Sequence, residues 1–245
     1  MKCVILAAGY ATRLYPLTER YPKPLLPVGG KPILDWLIED VDRTGGADGY
    51  VIISNHKFIS RFERWAKERP WPITLLDDGS VSNESRLGAV KDIQFAIDSL
   101  KLDEDLLVIA GDNLLDFSLA GFVRYAKAKN TTCLMRYYEP REEKLRKCGV
   151  AQVDEDDRIL SMEEKPAHPR SHWCTPPFYY YRREDLSLVS AGIAAGCGTD
   201  APGSFIAWLC GQTPVHAFEM PGRRYDIGDA AGYQQVRETY RGIES

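Results

Sequence analysis

The sequence predicts an α/β fold, a mostly parallel sheet flanked by helices and followed by an antiparallel hairpin region. Three observations predict it. Apolar β-rich runs alternate with segments of helical period through the first half. The run Asp105–Gly111 (DLLVIAG) is continuously apolar, as a central strand buried on both faces requires. Beyond residue 150 the pattern changes to short strands around turn-prone segments.

In order, Met1–Leu6 reads as a buried strand, and Lys31–Arg43 as a helix with Ile33, Leu34, Leu37, Ile38 and Val41 on one face. Tyr50–Ser54 is strand-like, and Phe58, Ile59, Phe62, Trp65 and Ala66 recur at helical spacing. Ile73–Leu76 reads as a strand, and Leu87, Val90, Ile93, Ile97 and Leu100 mark a helix. After the central strand, Leu119, Phe122, Val123 and Ala126 mark another helix before the strand Thr131–Tyr138. Repeated strand–helix–strand order implies right-handed crossovers, hence a Rossmann-like α/β unit. Val150–Asp154 and Ile159–Met162 flank the turn-prone Glu155–Arg158 as a hairpin, and Phe178–Tyr181 is an aromatic strand. Phe205–Leu209 and Gly232–Tyr240 read as helices.

At 245 residues the chain amounts to one large domain or a domain with a small appendage, at roughly 150 residues per domain. We read 1–245 as a single domain: a core of 1–138 and 229–245 carrying an inserted region at 139–228. Lys and Arg total 31 against 35 Asp and Glu, a net charge of −4, so no global basic field draws the chain to nucleic acid or anionic lipid. No apolar run reaches membrane-spanning length, and the start MKCVILAAGYATRL lacks a signal-peptide design, so a cytoplasmic protein is expected. The six cysteines form no CxxC pair and are expected to be reduced thiols. Trp65, Trp71, Trp173 and Tyr179 leave a homodimer open, since sequence does not separate interface from core.

Ligands of open parallel sheets bind beyond the carboxyl ends of the strands, and two features fall there. The first is the loop Leu6–Leu14, continuing to Tyr21–Val28. Its small residues Ala7, Ala8, Gly9 and Ala11 allow backbone N–H groups to approach a phosphate or a base. Arg13 and Lys23 add positive charge, and Pro22, Pro24 and Pro27 stiffen the mount of Lys23. The loop has neither GK[ST] nor GxGxxG, so it is neither of the two commonest nucleotide-binding motifs. The second feature is Gly111-Asp112-Asn113, where a carboxylate at a strand end could ligate Mg²⁺ on a nucleotide phosphate. Glu163-Glu164-Lys165-Pro166 follows a strand and could project a charge into a cleft. In Tyr225-Asp226-Ile227-Gly228-Asp229, Asp229 is a natural N-cap, which leaves Asp226 without a structural task.

Together these residues resemble the sugar-1-phosphate nucleotidyltransferase family, whose members open with LAAGxGTRLxPLT and PKPLLPV followed by KP. This chain reads LAAGYATRLYPLT and then YPKPLLPVGGKP; GDN at 111–113, Cys148-Gly149-Val150, EEKP at 163–166 and Asp-x-Gly at 226–228 follow in the family's order. The resemblance implies in-line attack of an acceptor phosphate oxygen on the α-phosphorus of a nucleoside triphosphate, with pyrophosphate leaving. It implies that Arg13 stabilises the β,γ-phosphates, Lys23 contacts the α-phosphate region, and Asp112 and Asp226 hold Mg²⁺. Leu6, Ala8, Gly9 and Thr12 would line the nucleotide, with Asn83 and Gly88 reading the base. Lys165 would hold the acceptor phosphate, while Glu164 and the Gly149 backbone would face the acceptor's body.

The chain departs from the pattern at three places. Ala11 stands where the family has a second loop glycine, and Asn83 where many members have Gln, leaving dTTP, UTP and CTP open. Thr175-Pro176-Pro177 replaces a common Thr-Gly, removing backbone donors near the sugar. A sugar-1-phosphate is therefore the expected acceptor, with a cytidylyltransferase acting on a non-sugar phosphate or phosphonate as the alternative. A non-catalytic nucleotide-sugar sensor on the same fold is a third reading. A glycosyltransferase ranks lowest, because Asp112-Asn113-Leu114 lacks the second acid of an Asp-x-Asp pair. The length leads us to expect a minimal transferase without the C-terminal β-helix of longer members.

Overall fold

The computed structural model describes residues 1–243. Its elements in chain order are β1 (Lys2–Leu6), β2 (Pro27–Val28), β3 (Lys31–Pro32), α1 (Ile33–Arg43), β4 (Gly49–Ser54), α2 (Ile59–Ala66) and β5 (Ile73–Asp77). There follow α3 (Ala89–Leu100), β6 (Leu106–Ala110), β7 (Asn113–Leu115), α4 (Ala120–Lys129), β8 (Thr132–Tyr138), α5 (Glu142–Leu145), β9 (Gly149–Val153) and β10 (Ile159–Glu164). The chain continues with β11 (Trp173–Thr175), β12 (Phe178–Tyr181), α6 (Ser187–Ala194), α7 (Gly203–Leu209), β13 (Val215–Glu219), β14 (Arg224–Asp226) and α8 (Ala230–Thr239). Two compact units result: the first holds Met1–Arg86, Ala110–Gly121 and the chain from Pro221, the second Leu87–Ile109 and Phe122–Met220. The last two residues of the core expected at 229–245 lie outside the described residues.

In the first unit β1, β4 and β5 pair in parallel, with Leu6 opposite Ile53 and Ile53 opposite Leu76. The helices α1 and α2 provide the crossovers that parallel pairing demands. Val4, Ile5, Ile52 and Ile53 have no appreciable exposure, which explains the unbroken apolar runs. A second layer joins Leu26, Val28, Ile33, Leu114, Ile227, Tyr233, Val236 and Tyr240. Each large side chain buried there contributes about 1.5–3 kcal/mol. The Asp229 carboxylate accepts from the Gly232 N–H at 2.8 Å, capping α8 as the sequence indicates.

The second unit is mixed. Leu106, Leu107, Val108 and Ile109 of β6 are fully buried, and β12 runs antiparallel to β6 and to β8. The expected hairpin is β9 with β10, and β11 pairs antiparallel with both β8 and β9. Only β13 adds in parallel, along β8. The α/β class holds, with the sheet partly rather than mostly parallel. Long helical crossovers give way after β8 to short connections, and those favour antiparallel neighbours.

Two expectations are corrected. Cys148 and Cys174 form a disulfide across a Cα–Cα distance of 6.0 Å, so not all six cysteines are thiols. Cys148 immediately precedes β9, and Cys174 lies opposite Val150 in the β11–β9 pair, a proximity that sequence spacing does not reveal. Cys3, Cys133, Cys197 and Cys210 are free. Trp65 and Tyr179 are core residues at 6% and 2% exposure and so are not available to a dimer interface. Among the described residues no helix is long and apolar enough to cross a membrane.

Candidate active site

In the first unit the chain leaves β1 into a loop fastened from outside. The Ala7 N–H donates to the Ile53 carbonyl at 2.9 Å, and Asn55 Nδ2 donates to the Ala8 carbonyl at 2.9 Å. The Leu6 carbonyl accepts from the Gly111 N–H at 2.9 Å, so Leu6 and Ala8 already have occupied acceptors. Gly9 is exposed with open space around its Cα, and its amide has no partner among the described residues. Ala11 adopts φ 47° and ψ 44°, the left-handed conformation that glycine takes without cost. Thr18 Oγ1 donates to the Ala11 carbonyl at 2.7 Å and helps to hold that turn. Thr12 and Arg13 follow in a short 3₁₀ turn, both exposed, and Arg13 has no ion pair among the described residues.

Lys23 opens a second 3₁₀ turn after the extended Pro22. Its side chain is 7% exposed, and its Nζ lies 2.7 Å from Asp112 Oδ2. Asn113 Nδ2 donates to Asp112 Oδ1 at 3.0 Å, while Arg224 Nη1 donates to Asn113 Oδ1 at 2.8 Å. Burial alone would push the Asp112 carboxyl up, but the Lys23 charge and hydrogen bond, with Arg224 nearby, outweigh it. Asp112 is therefore held below the usual carboxylate range. Gly111 permits this turn, because a Cβ there would lie 2.9 Å from Ile5 Cγ2 and 3.4 Å from the Leu6 carbonyl. The antiparallel β14–β7 pair sets Asp226 opposite Asn113, next in sequence to Asp112. Asp226 is exposed and lies 3.7 Å from Arg224 Nη2.

Asn83 also belongs to the first unit, where its Oδ1 accepts from Arg86 Nη1 at 2.9 Å. Gly88 belongs to the second unit and precedes α3 at φ 92°; a Cβ there would lie 2.4 Å from the Thr199 carbonyl oxygen. Its lack of a side chain lets the 199–200 backbone close onto the start of α3, where the Val90 N–H donates to Thr199 at 3.0 Å.

Gly149, Glu164 and Lys165 come together in the second unit. Glu164 lies opposite Gly149 in the hairpin register, and Thr175 lies opposite Gly149 on the other side. Lys165 is exposed at φ 50°, and its N–H donates to the Cys148 carbonyl at 3.0 Å. A Cβ on Gly149 would lie 2.3 Å from Thr175 Oγ1, and that buried hydroxyl has no hydrogen-bond partner among the described residues. Burial raises the Glu164 carboxyl above its ordinary range, with Lys165 opposing and Asp200 reinforcing the shift.

Sequence reasoning passed over Arg224, whose strand of three residues is too short to show a period. It also passed over Gly203, which carries no chemistry of its own. A carboxylate in the turn before β7 and another on β14, the strand paired with β7, suit Mg²⁺, which takes one or two carboxylates and completes its shell with water and substrate phosphates. Among the described residues no group of three or more His, Cys, Asp or Glu is assembled for a metal, so the donor set fits Mg²⁺ better than an all-protein cage.

The sequence model of the family described as "Nucleotidyl transferase" matches residues 2–241. A bifunctional protein GlmU of Methanocaldococcus jannaschii is 28% identical over 93% of this chain and 51% of its own. A UTP–glucose-1-phosphate uridylyltransferase of Synechocystis is 25% identical over 96% of this chain and 62% of its own. The chain thus spans about half the length of the GlmU relative. A crystal structure of UDP-glucose pyrophosphorylase with UDP-glucose superposes with a TM-score of 0.82 at 19% identity, covering 98% of this chain and 97% of that one, and shows the shared fold. With the glycine loop, the Lys23–Asp112 pair and the EEKP hairpin in place, the chain belongs to the nucleotidyl transferase family, the group of sugar-1-phosphate nucleotidyltransferases.

Proposed function

We propose that the protein transfers a nucleoside monophosphate from dTTP, UTP or CTP to a sugar-1-phosphate in a Mg²⁺-dependent reaction, releasing pyrophosphate. The observation that carries this reading is the buried Lys23 paired with Asp112, with Asp226 opposite the next residue. A buried cation needs a counter-charge, and Lys23 can keep one by exchanging Asp112 for an α-phosphate oxygen. That exchange frees Asp112, which with Asp226 would hold Mg²⁺; bound there, the ion would neutralise triphosphate charge. The free Gly9 amide would donate to a phosphate oxygen, beside Leu6, Ala8 and Thr12. Arg13, exposed and unpaired, would stabilise charge developing on the departing pyrophosphate. Asn83 and Gly88 would contact the base. On the acceptor side, Lys165 would hold the sugar phosphate, while Glu164 and the Gly149 backbone would meet the sugar body. The attacking phosphate oxygen is already ionised at neutral pH, so alignment and charge neutralisation do the work and no protein nucleophile is required.

The test is pyrophosphate release with each triphosphate against sugar-1-phosphates, phosphocholine and a phosphonate, with products identified by mass spectrometry. A nucleotide sugar as the main product is expected. Turnover with phosphocholine or the phosphonate alone would replace the sugar. Calorimetric triphosphate binding with no product from any pair would replace catalysis with sensing.

A further inference from the structure

Glu164 is partly buried, yet its carboxylate makes no hydrogen bond or ion pair among the described residues. Shape holds it instead. A Cβ built on Gly203 would lie 2.3 Å from Glu164 Oε2 and 2.9 Å from Met162 Cε. A Cβ on Gly149 would lie 3.1 Å from the same oxygen and 2.7 Å from the same methyl. The carboxylate therefore occupies volume that any side chain at 203 would claim. Gly203 opens α7 and is buried, with its φ outside the left-handed region. Nothing in its backbone asks for glycine, and a helical position favours alanine. The neighbour that does ask for glycine is Glu164.

We propose that Gly203 is a positioning residue, whose missing side chain seats the Glu164 carboxylate for the hydroxyls of the acceptor and so helps to set acceptor specificity. The inference rests on the acceptor role proposed above for Glu164. The atoms that a Cβ at 203 would strike are the ends of two flexible side chains, so the fold should survive while the carboxylate is displaced.

The experiment is Gly203→Ala, alone and combined with Glu164→Asp, whose carboxylate is one methylene shorter. Gly203→Ala should keep or raise Tm and raise the KM for the sugar phosphate about tenfold, leaving kcat and the triphosphate KM within about twofold. In the Glu164→Asp background the same change should move the acceptor KM by less than about twofold. An unchanged acceptor KM in the wild-type background, or equal losses in both, overturns the proposal. A readout independent of turnover is ¹³C NMR titration of the Glu164 carboxyl, in a site flanked by Lys165 and Asp200. Gly203→Ala should bring that titration down toward the ordinary range, and an unmoved titration overturns the seating. Should no sugar phosphate react with the wild type, the functional reading fails, while the titration still decides whether Gly203 seats Glu164.

Discussion

Asp112 of the first unit lies in the turn after β6, and Glu164 of the second ends β10. Burial pushes both carboxyls up, yet they settle on opposite sides of the ordinary range. Asp112 comes down because the charge and hydrogen bond of Lys23, 2.7 Å away, and the nearby Arg224 charge outweigh burial. Glu164 stays up because burial, reinforced by Asp200, outweighs the opposing charge of Lys165. On the proposed roles, the side facing a highly charged triphosphate keeps its charges paired until a ligand takes them over, and the side facing a hydroxyl-rich acceptor leaves a carboxylate unpaired and aims it by close packing.

The largest expected effect tests the paired side. Asp112→Asn should lower turnover about 10²–10³-fold, since it removes a charge proposed to hold Mg²⁺ and leaves Lys23 facing a neutral amide. The accompanying loss of stability should be only about 1–3 kcal/mol, because the Asp112 side chain is 39% exposed and partly screened. Near-wild-type turnover would remove Asp112 from the role given it. Next, Cys148→Ser tests the packed side, where the disulfide joins the chain before β9 to β11, flanking Gly149 and Thr175. Its 26-residue separation corresponds to about 3.5 kcal/mol of chain entropy, so denaturant unfolding should show a loss of about 2–4 kcal/mol. An unchanged midpoint would show that packing alone holds these strands.

The pH dependence of stability separates the two carboxylates by sign. Asp112, depressed on folding, contributes stability above its unfolded value of about 3.9 that is lost as pH falls through its folded value. Glu164, raised on folding, contributes stability below its unfolded value of about 4.3 that is lost as pH rises through its folded value. Glu164→Gln should therefore flatten a loss of stability on the neutral side, and Asp112→Asn a loss on the acid side. Identical profiles in urea unfolding would erase the contrast. The smallest effect belongs to the loop after β1: Ala11→Gly should stabilise by about 0.5–1 kcal/mol, because glycine takes the left-handed conformation without a Cβ clash. A lowered Tm would show that the Ala11 side chain is used.

Much of this contrast was legible beforehand on one side. The apolar runs of β1, β4 and β6 and the one-sided face of α1 appeared in the sequence because burial leaves a local period. Arg13, Lys23 and Asp112 stood out because charges and glycines at strand ends have few structural uses. The strands β7 and β14 did not stand out, since three residues carry no period and their pairing is what defines them. The helix α6 was missed because Ser187–Ala194 mixes small and apolar residues with no polar stripe.

By itself the sequence determined the family, the order of elements through the first half and the residue types at both proposed ligand regions. The tertiary structure decided that Arg224 would reach Asn113 across 111 positions, that Cys148 would bond Cys174, and that Gly203 would lie against Glu164. Local patterning reports which face a residue buries. Which distant segment fills the space beside that face depends on the chain's return path, and that is settled only when the core packs.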